Sequence, residues 1–237
     1  TYVQLRIENL SKSYGTKEVL KDINFTFESG KIYGLIGRNG VGKTTFFNCL
    51  NNDISVDSGK FYLVDSDIKL ELRTNDIGYV VSTPIVPEFL TAREFLQFFI
   101  DINKDKIDDV KSIEEYFKMV QIEEVDWDKL LKDYSHGMKN KMQILINIIA
   151  KPKVILLDEP LTSLDIVVQE EMKKLFRTLK KEHIIIFSTH ILELAMDLCD
   201  EIVILNNKEL ELIEKNNLNT RKYKDKIIRC LKEQKND

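Results

Sequence analysis

The chain has 237 residues, of which 43% are hydrophobic and 31% charged. This allows one large folded domain, or one core with a dependent subdomain. Its 35 basic and 39 acidic side chains give a net charge of −4, which lacks the basic excess typical of nucleic-acid binding, so we expect no nucleic-acid partner. The scattered Cys49, Cys199 and Cys230 show no CxxC spacing and predict reduced thiols in a cytosolic protein, not a zinc site or disulfides.

The first elements predicted along the chain are strands. Residues Val3 to Ile7 alternate between apolar and polar, as in a half-buried strand, and Val19 to Phe27 do the same. A third strand, Lys31 to Ile36, runs directly into a glycine-rich loop. The residues from Lys43 to Leu50 have a helical pattern.

The glycine-rich loop matches the phosphate-binding pattern GxxxxGK[ST], and its place between a buried strand and a helix strengthens the match. Glycines allow backbone N–H groups to fold around a polyphosphate, and the start of the following helix adds positive potential. The Lys43 ammonium would bring a full positive charge next to the β- and γ-phosphates. The Thr44 hydroxyl suits Mg²⁺, and Thr45 can contact a neighbouring phosphate. The predicted loop is Gly37, Arg38, Asn39, Gly40, Val41, Gly42, Lys43, Thr44 and Thr45.

The middle of the chain, from about 84 to 150, predicts a mostly helical insertion. Two aromatic sets have helical spacing and are expected to pack in the core: Phe95, Phe98 and Phe99, and Ile113, Tyr116 and Phe117. The segment Tyr134-Ser135-His136-Gly137-Met138 indicates the start of a helix that runs to Ala150. Ser135 suits an N-cap, and Gly137 permits close backbone approach. From these residues alone, a capping turn and a ligand contact are equally consistent.

Strand and helix alternate again after residue 150, which predicts a parallel sheet with crossover helices. Val154 to Leu157 form a continuous apolar run that ends in Asp158 and Glu159. At the carboxyl end of a parallel strand, Asp158 would hold magnesium, and Glu159 would orient and deprotonate a water. The predicted elements that follow are helix Val167–Leu179, strand Ile184–Phe187, helix Ile191–Leu198 and strand Ile202–Leu205.

The last segment, residues 214–237, is basic, with eight Lys or Arg against four Asp or Glu. A solvated terminal helix is the favoured interpretation, and a docking surface for a membrane or partner is the alternative. No apolar run in the chain approaches the roughly 20 residues that span a bilayer. Any role at a membrane would therefore need a separate membrane subunit.

Taken in this order, the motifs resemble those of the ABC transporter ATPase family. Residues 134–138 are the diagnostic part, because they resemble the family's LSGGQ signature in the variant YSxGM followed by Lys. The resemblance covers residues 2 to 213. It implies an α/β fold: a P-loop NTPase parallel-sheet core with an N-terminal antiparallel β subdomain and a helical insertion subdomain. The implied single domain is 1–213, with the core at 1–83 and 151–213 and the helical subdomain at about 84–150.

The resemblance also implies roles for individual residues. Ser135 and Gly137 would contact the γ-phosphate of ATP held by a second subunit, and Asp165 of Ser163-Leu164-Asp165 resembles the D-loop residue that communicates across a dimer. Asp165 is also a possible helix N-cap. Tyr14 would stack on adenine, although a strand-edge tyrosine is the alternative. His190 resembles the switch histidine and would sense the γ-phosphate beside the catalytic Glu159.

Two positions depart from the family pattern. Ser82 stands where the family usually has Gln or Glu, after the strand from Ile77 to Val81. Its hydroxyl can bind magnesium but is shorter and reaches less far, so the resemblance does not carry over metal coordination or coupling to the membrane subunit at this position. His136 replaces a signature glycine, a change that some family members share.

The resulting hypothesis is a subunit that binds ATP and Mg²⁺, dimerises around two MgATP and drives export through a separate transmembrane permease subunit. Its place would be the cytoplasmic face of the cell membrane, and the second nucleotide-binding subunit would be identical or related. An ATP-binding regulatory subunit with little turnover is an alternative, motivated by Ser82. An ABC ATPase outside transport is another, although such chains usually carry two domains or long coiled-coil insertions. A small-molecule P-loop kinase does not account for residues 134–138.

Overall fold

The central feature of the structure is a six-stranded sheet in the order β10-β9-β3-β8-β7-β6. A computed structural model of the chain describes residues 2–214 and 221–232. The strands of this sheet are β3 (Ile32–Ile36), β6 (Ile77–Val80), β7 (Val154–Asp158), β8 (Ile184–Thr189), β9 (Glu201–Asn206) and β10 (Glu209–Ile213). All neighbours pair in parallel except β10, which is antiparallel to β9. The predicted parallel sheet is confirmed.

The inner strands are continuously apolar because both faces of the sheet are buried. On β7, Ile155 and Leu157 belong to one core cluster, and Val154 and Leu156 to another. The first cluster includes apolar residues of the helices α4 (His136–Ala150), α5 (Ile166–Leu179) and α6 (Leu192–Leu198). The second cluster includes apolar residues of α1 (Lys43–Leu50) and of a second, four-stranded sheet. This burial fixes the strands, and their parallel pairing brings the carboxyl ends of β3, β6, β7, β8 and β9 to one edge.

The second sheet is antiparallel and has the order β2-β1-β4-β5. Its strands are β1 (Val3–Tyr14), β2 (Lys17–Glu28), β4 (Ser58–Asp65) and β5 (Ile68–Leu70). β1 continues past the predicted end at Ile7, with register shifts on either side of Leu10. Asn9 has a φ of 50° at this irregularity, which is how the strand stays paired while its alternation breaks. The extension carries Tyr14 to the rim of the sheet.

The segment between β6 and β7 contains α2 (Ala92–Asn103), α3 (Ile113–Met119) and α4, joined by short 3₁₀ turns and loops. Each of these helices starts at a side-chain cap: Thr91, Ser112 and Ser135. The predicted helical insertion is therefore interrupted, since residues 107–112 and 127–130 contain no helix. The predicted core role of the aromatic sets is wrong for Phe98, which is 57% exposed, because it lies on the opposite side of α2 from buried Leu96 and Ile100.

Several strands were not apparent in the sequence, namely β4, β5 and β10. β10 has the burial pattern of an edge strand, with only Ile213 buried, so its apolar content gives little signal. The basic terminal segment contains α7 (Arg221–Lys232), whose Ile227 is fully buried in the core cluster. The rest of the predicted tail, residues 215–220 and 233–237, lies outside the described residues. No helix among the described residues is long and apolar enough to cross a membrane.

Candidate nucleotide-binding site

A cavity of about 240 Å³ opens at the carboxyl edge of the parallel sheet. The loop after β3, the start of α1, the end of β7 and the rim of the antiparallel sheet meet there. Its lining residues are Tyr14, Lys17, Val19, Asn39, Gly40, Gly42, Lys43, Thr44, Thr45, Asp158 and Glu159. The cavity therefore brings together the predicted phosphate loop, both predicted strand-end acids and the predicted adenine-stacking tyrosine.

The phosphate loop needs glycine at two of its turns. Gly40 and Gly42 have φ values of 83° and 123°, a region that other residues adopt only with strain. Gly42 directly precedes α1, so the N–H groups at the start of this helix point toward the cavity side of the loop. Gly37, Arg38 and Val41 belong to the loop but are not among the residues that line the cavity.

Lys43 folds back into the loop. Its side chain is buried, and its ammonium donates to the carbonyl oxygens of Gly37 and, at 3.0 Å, Arg38. Nζ also lies 3.9 Å from Oε1 of Glu159. Burial lowers the pKa of Lys43 below its ordinary value, while the carboxylates of Glu159 and Asp158 oppose that shift. The loop thus concentrates the Lys43 ammonium and several N–H donors in a small space, which suits a polyphosphate.

Asp158 is buried at the end of β7 and accepts hydrogen bonds from three hydroxyl groups. Thr44 donates to Oδ2 at 2.9 Å, and Tyr79 donates to the same oxygen at 3.3 Å. Ser188 donates to Oδ1 at 2.8 Å. Burial, together with the Asp158 carboxylate, raises the pKa of the Tyr79 phenol, which keeps it a donor at neutral pH.

The residues around Asp158 fit a magnesium ion. Mg²⁺ prefers oxygen ligands and is commonly held by one or two protein groups together with substrate phosphates. The Thr44 hydroxyl and the Asp158 carboxylate are such ligands, and their 2.9 Å contact shows that both reach the same point. Ser82 is exposed, lies beyond the end of β6 and is not among the lining residues. Its proposed metal contact therefore remains a prediction from the resemblance.

Glu159 has an unusual backbone and a fixed carboxylate. Its φ is 48°, in the left-handed region, where a non-glycine residue carries strain that often marks functional sites. The Nδ1–H of His190 donates to Oε1 at 2.9 Å, and the Thr162 hydroxyl donates to Oε2 at 2.8 Å. The structure thus joins the two predicted catalytic residues directly.

The remaining predicted contact residues lie at the N-termini of α4 and α5. Ser135 is exposed, and its hydroxyl accepts the backbone N–H of Met138 at 3.1 Å, which confirms the predicted N-cap. Gly137 is buried, and a Cβ there would lie 3.2 Å from Val168 of α5, so its small size serves helix packing. Asp165 accepts from Val168 N at 3.0 Å and caps α5, as predicted. These three residues do not line the cavity within this chain.

Sequence reasoning missed several residues of the site. Lys17 and Val19 of β2 line the cavity, and Tyr79, Thr162 and Ser188 contact the two acids. No spacing rule signals these side chains, because tertiary pairing of separate strands brings them together. For Ser188 alone the sequence gives a signal, because its position just before Thr189 and His190 indicates a place near the edge of the sheet.

Known proteins share both the sequence and the fold. The family model described as ABC transporter matches residues 20–162. YxlF of Bacillus subtilis, named an uncharacterized ABC transporter ATP-binding protein, is 35% identical over 209 residues, which cover 87% of this chain and 69% of YxlF. CysA of Synechococcus elongatus, named a sulfate/thiosulfate import ATP-binding protein, is 30% identical over 215 residues, covering 89% of this chain and 62% of CysA.

Solved structures show the same fold at lower identity. An ATP-binding subunit of an ABC transporter superposes with a TM-score of 0.75 and 24% identity, covering 94% of this chain and 97% of that one. A dimeric ATP-binding cassette in a post-hydrolysis state with ADP and Pi gives a TM-score of 0.73 and 23% identity, covering 89% and 98%. With the family match, the predicted fold is confirmed: the chain belongs to the ABC transporter family, as an ATP-binding, ATP-hydrolysing domain.

Proposed function

We propose that this ATP-binding subunit dimerises around two MgATP molecules and couples their hydrolysis to export by a separate transmembrane permease subunit. The observation that supports this most strongly is that residues of the phosphate loop and the two strand-end acids meet at one edge of the sheet. There Lys43 and Thr44 of the phosphate loop meet Asp158, and Glu159 is bonded to His190. A domain that only bound nucleotide would have no need, at this position, of a glutamate with a strained backbone and a hydrogen bond to each carboxylate oxygen.

Binding would use the phosphate loop. Backbone N–H groups from 37 to 44 would surround the β- and γ-phosphates, and the Lys43 ammonium would move from the Gly37 and Arg38 carbonyls to phosphate oxygens. Thr44 and Asp158 would hold Mg²⁺, which supplies positive charge against the phosphate oxygens when bound. Tyr14 is 48% exposed at the cavity rim, where it could stack on the adenine ring.

Hydrolysis would depend on Glu159. Its carboxylate is fixed by Thr162 and His190, and a fixed carboxylate near the γ-phosphate can orient and deprotonate an attacking water. His190 uses Nδ1 for this bond, which leaves Nε2 as the atom that can contact the γ-phosphate. Catalysis of this kind consists of positioning and electrostatic stabilisation.

Dimerisation would use the outward-facing start of α4. The capping contact occupies an acceptor lone pair of the Ser135 hydroxyl and leaves its O–H as a donor. Together with the positive end of α4, this donor suits the γ-phosphate of ATP on a second subunit. ATP would then bridge Lys43 of one subunit and Ser135 of the other, and hydrolysis would remove the bridge. The dimer equilibrium would thus follow the difference between ATP and ADP binding.

Coupling to the permease would use the segment from Ser82 to Phe89. Ile85 is 76% exposed and Phe89 is 80% exposed, so the segment offers apolar side chains to a cytoplasmic helix of the membrane subunit. It follows β6, whose Tyr79 touches Asp158. Movement at the docking segment could therefore reach the magnesium site.

Import is the second candidate direction, because CysA is named an import protein. Export is supported by the YSxGMK form of residues 134–139, because it resembles the signature variant that is common among exporter ATPases. The test is to purify the chain with its membrane subunit and measure ATP hydrolysis and cargo movement in sealed vesicles with the domain outside. Cargo accumulating inside on addition of MgATP is expected for export, and ATP-driven loss of preloaded cargo would indicate import. ATP binding without turnover in this complex would support a regulatory subunit and contradict the proposal.

A further inference from the structure

Ser188 touches both strand-end acids with one hydroxyl group. It is fully buried on β8, where it is the register partner of Asp158 on β7. Its Oγ donates to Oδ1 of Asp158 at 2.8 Å and accepts the backbone N–H of Glu159 at 3.1 Å. The same N–H also approaches the Ser188 carbonyl oxygen at 3.2 Å. A single side chain is therefore bonded to the residue proposed for magnesium and to the backbone of the proposed base.

The contact to Glu159 bears on the strain at that residue. A left-handed conformation persists at a non-glycine residue only when its surroundings fix it, and the shared N–H bond to Ser188 is one of those constraints. The backbone direction at Glu159 decides where its side chain starts, and hence whether the carboxylate can meet His190 and Thr162. The Ser188 hydroxyl thus helps to place the carboxylate without touching it.

The two carboxylate oxygens of Asp158 have different partners. Ser188 holds Oδ1, whereas Oδ2 faces Thr44 and also accepts from Tyr79. A hydrogen bond from a neutral donor to a buried charged acceptor is strong and directional. Ser188 on one flanking strand and Tyr79 on the other therefore fix the carboxylate so that Oδ2 points toward the proposed magnesium ligand Thr44.

We propose that Ser188 is a positioning residue for both acids: it orients Asp158 toward the metal, and it holds the backbone of Glu159 so that the carboxylate can activate the attacking water. This inference rests on the proposed function, since it assigns a role within the same MgATP site. Tyr79 provides an internal comparison because it touches Asp158 but not Glu159. Its ring also packs edge-on against Phe47, with centroids 5.9 Å apart, so Tyr79→Phe removes the hydroxyl and keeps the packing.

The test compares Ser188→Ala, Ser188→Cys and Tyr79→Phe with the unmodified chain. ATP affinity is measured by calorimetry, once with Mg²⁺ and once with EDTA. The value of kcat is measured at saturating Mg²⁺ and ATP, and folding is checked by thermal denaturation. Ser188→Ala should reduce the gain in affinity that Mg²⁺ brings and lower kcat on the order of 10-fold or more, because a displaced base costs rate steeply. Affinity in EDTA should not change, since the phosphate loop is untouched.

The other two variants separate the roles. Tyr79→Phe should reduce the gain from Mg²⁺ and lower kcat at saturating Mg²⁺ less than Ser188→Ala does, since Tyr79 is bonded to Asp158 and not to Glu159. Ser188→Cys places a slightly larger atom with a weaker donor at the same point, so it should fall between Ser188→Ala and the unmodified chain in both properties. It also provides a folded variant if the alanine substitution impairs folding.

The outcomes are distinct. If the unmodified chain neither binds nor hydrolyses MgATP, the proposed function itself fails. If the unmodified chain is active, and Ser188→Ala matches its kcat and its gain from Mg²⁺ while only its melting temperature falls, Ser188 is merely a buried structural hydroxyl and the inference is overturned.

Discussion

The phosphate-loop edge of the sheet and the N-terminus of α4 differ in how far one chain completes them. At the first, Lys43 is buried, Asp158 accepts three hydroxyl donors, and Glu159 is bonded on both carboxylate oxygens. At the second, Ser135 is exposed and contacts only its own helix among the contacts described above. The first is already arranged as the proposed catalytic centre, whereas the second fits its proposed ligand contact only when a second subunit brings the nucleotide.

The largest expected effect is at the catalytic edge. Glu159→Gln keeps the size of the side chain and one oxygen that can accept the His190 N–H, but it removes the base, so turnover should fall by about 10²- to 10⁴-fold. ATP binding should persist, and the unhydrolysed nucleotide should hold an ATP-dependent dimer. Steady-state ATPase assays and size-exclusion chromatography with MgATP check both points.

A matched control is Glu209→Gln, which makes the same change at an exposed position on β10. It should leave turnover and oligomeric state as they were. Normal hydrolysis by the Glu159→Gln protein would show that another group is the base.

The next effect separates capping from ligand binding at α4. Aspartate caps helices about as well as serine, within a few tenths of a kcal/mol, and its charge suits the helix N-terminus. Ser135→Asp should therefore fold with unchanged stability, but its carboxylate would repel a γ-phosphate. In the Glu159→Gln background, analytical ultracentrifugation should show at least a roughly 10-fold weaker ATP-dependent dimer, equivalent to about 1.4 kcal/mol.

Ser112 provides the comparison, since it caps α3 in the same way. Ser112→Asp should leave the dimer intact, and so should the neutral cap Ser135→Asn if charge is the cause. A dimer of unchanged strength in Ser135→Asp would mean that Ser135 is only a cap.

A smaller effect is expected at the rim of the cavity. If Tyr14 stacks on adenine, Tyr14→Ala should weaken ATP binding by about 1–3 kcal/mol, the range for stacking of a base on an aromatic ring. Tyr14→Phe should bind normally, because its ring is retained. Tyr2, which directly precedes β1 and is 55% exposed, serves as the control, and titration with a fluorescent ATP analogue gives the affinities. Equal binding by Tyr14→Ala would identify Tyr14 as a strand-edge residue.

The smallest effect concerns stability at the opposite end of the sheet. Burial lowers the pKa of His183, although its Nδ1 bond to the Pro152 carbonyl opposes this shift. The folded chain therefore prefers neutral His183, while the unfolded chain takes up a proton below about pH 6.5. This contribution to stability is full above that pH and is lost as pH falls, by at most about 1.4 kcal/mol per pH unit.

His183→Gln should flatten this dependence. The difference in melting temperature between pH 7.5 and pH 5.5 should be smaller than in the unmodified chain, whereas ATP affinity at pH 7.5 should stay the same. An unaltered pH profile would show that His183 does not titrate on unfolding.

The same contrast explains what could be predicted from the sequence. The phosphate loop, the acids at the end of β7 and the cap at Ser135 depend on local spacing, and the structure places them as expected. Burial on both faces makes β3, β7 and β8 continuously apolar, so these strands were also recognisable. β10 was not, because an exposed edge strand is held by pairing with β9 and carries little apolar signal.

Contacts between separate strands lie beyond such reasoning. Tyr79 and Ser188 reach Asp158 only because β6 and β8 flank β7 in register, and strand order is not written in local spacing. Phe98 shows the same limit, since helical spacing grouped it with Phe95 and Phe99 but did not show that it lies opposite the buried face of α2. The sequence therefore predicted the parts of the site and not the network that orients them.

The most direct test of the account is calorimetric titration of the folded chain with MgATP, beside a Lys43→Ala variant of matched melting temperature. We expect one saturable site per chain in the unmodified protein and a strong loss of affinity in the variant, because the buried Lys43 ammonium is the principal cation of the loop. Absence of binding heat across a range of temperatures, or equal affinity in both proteins, would contradict it.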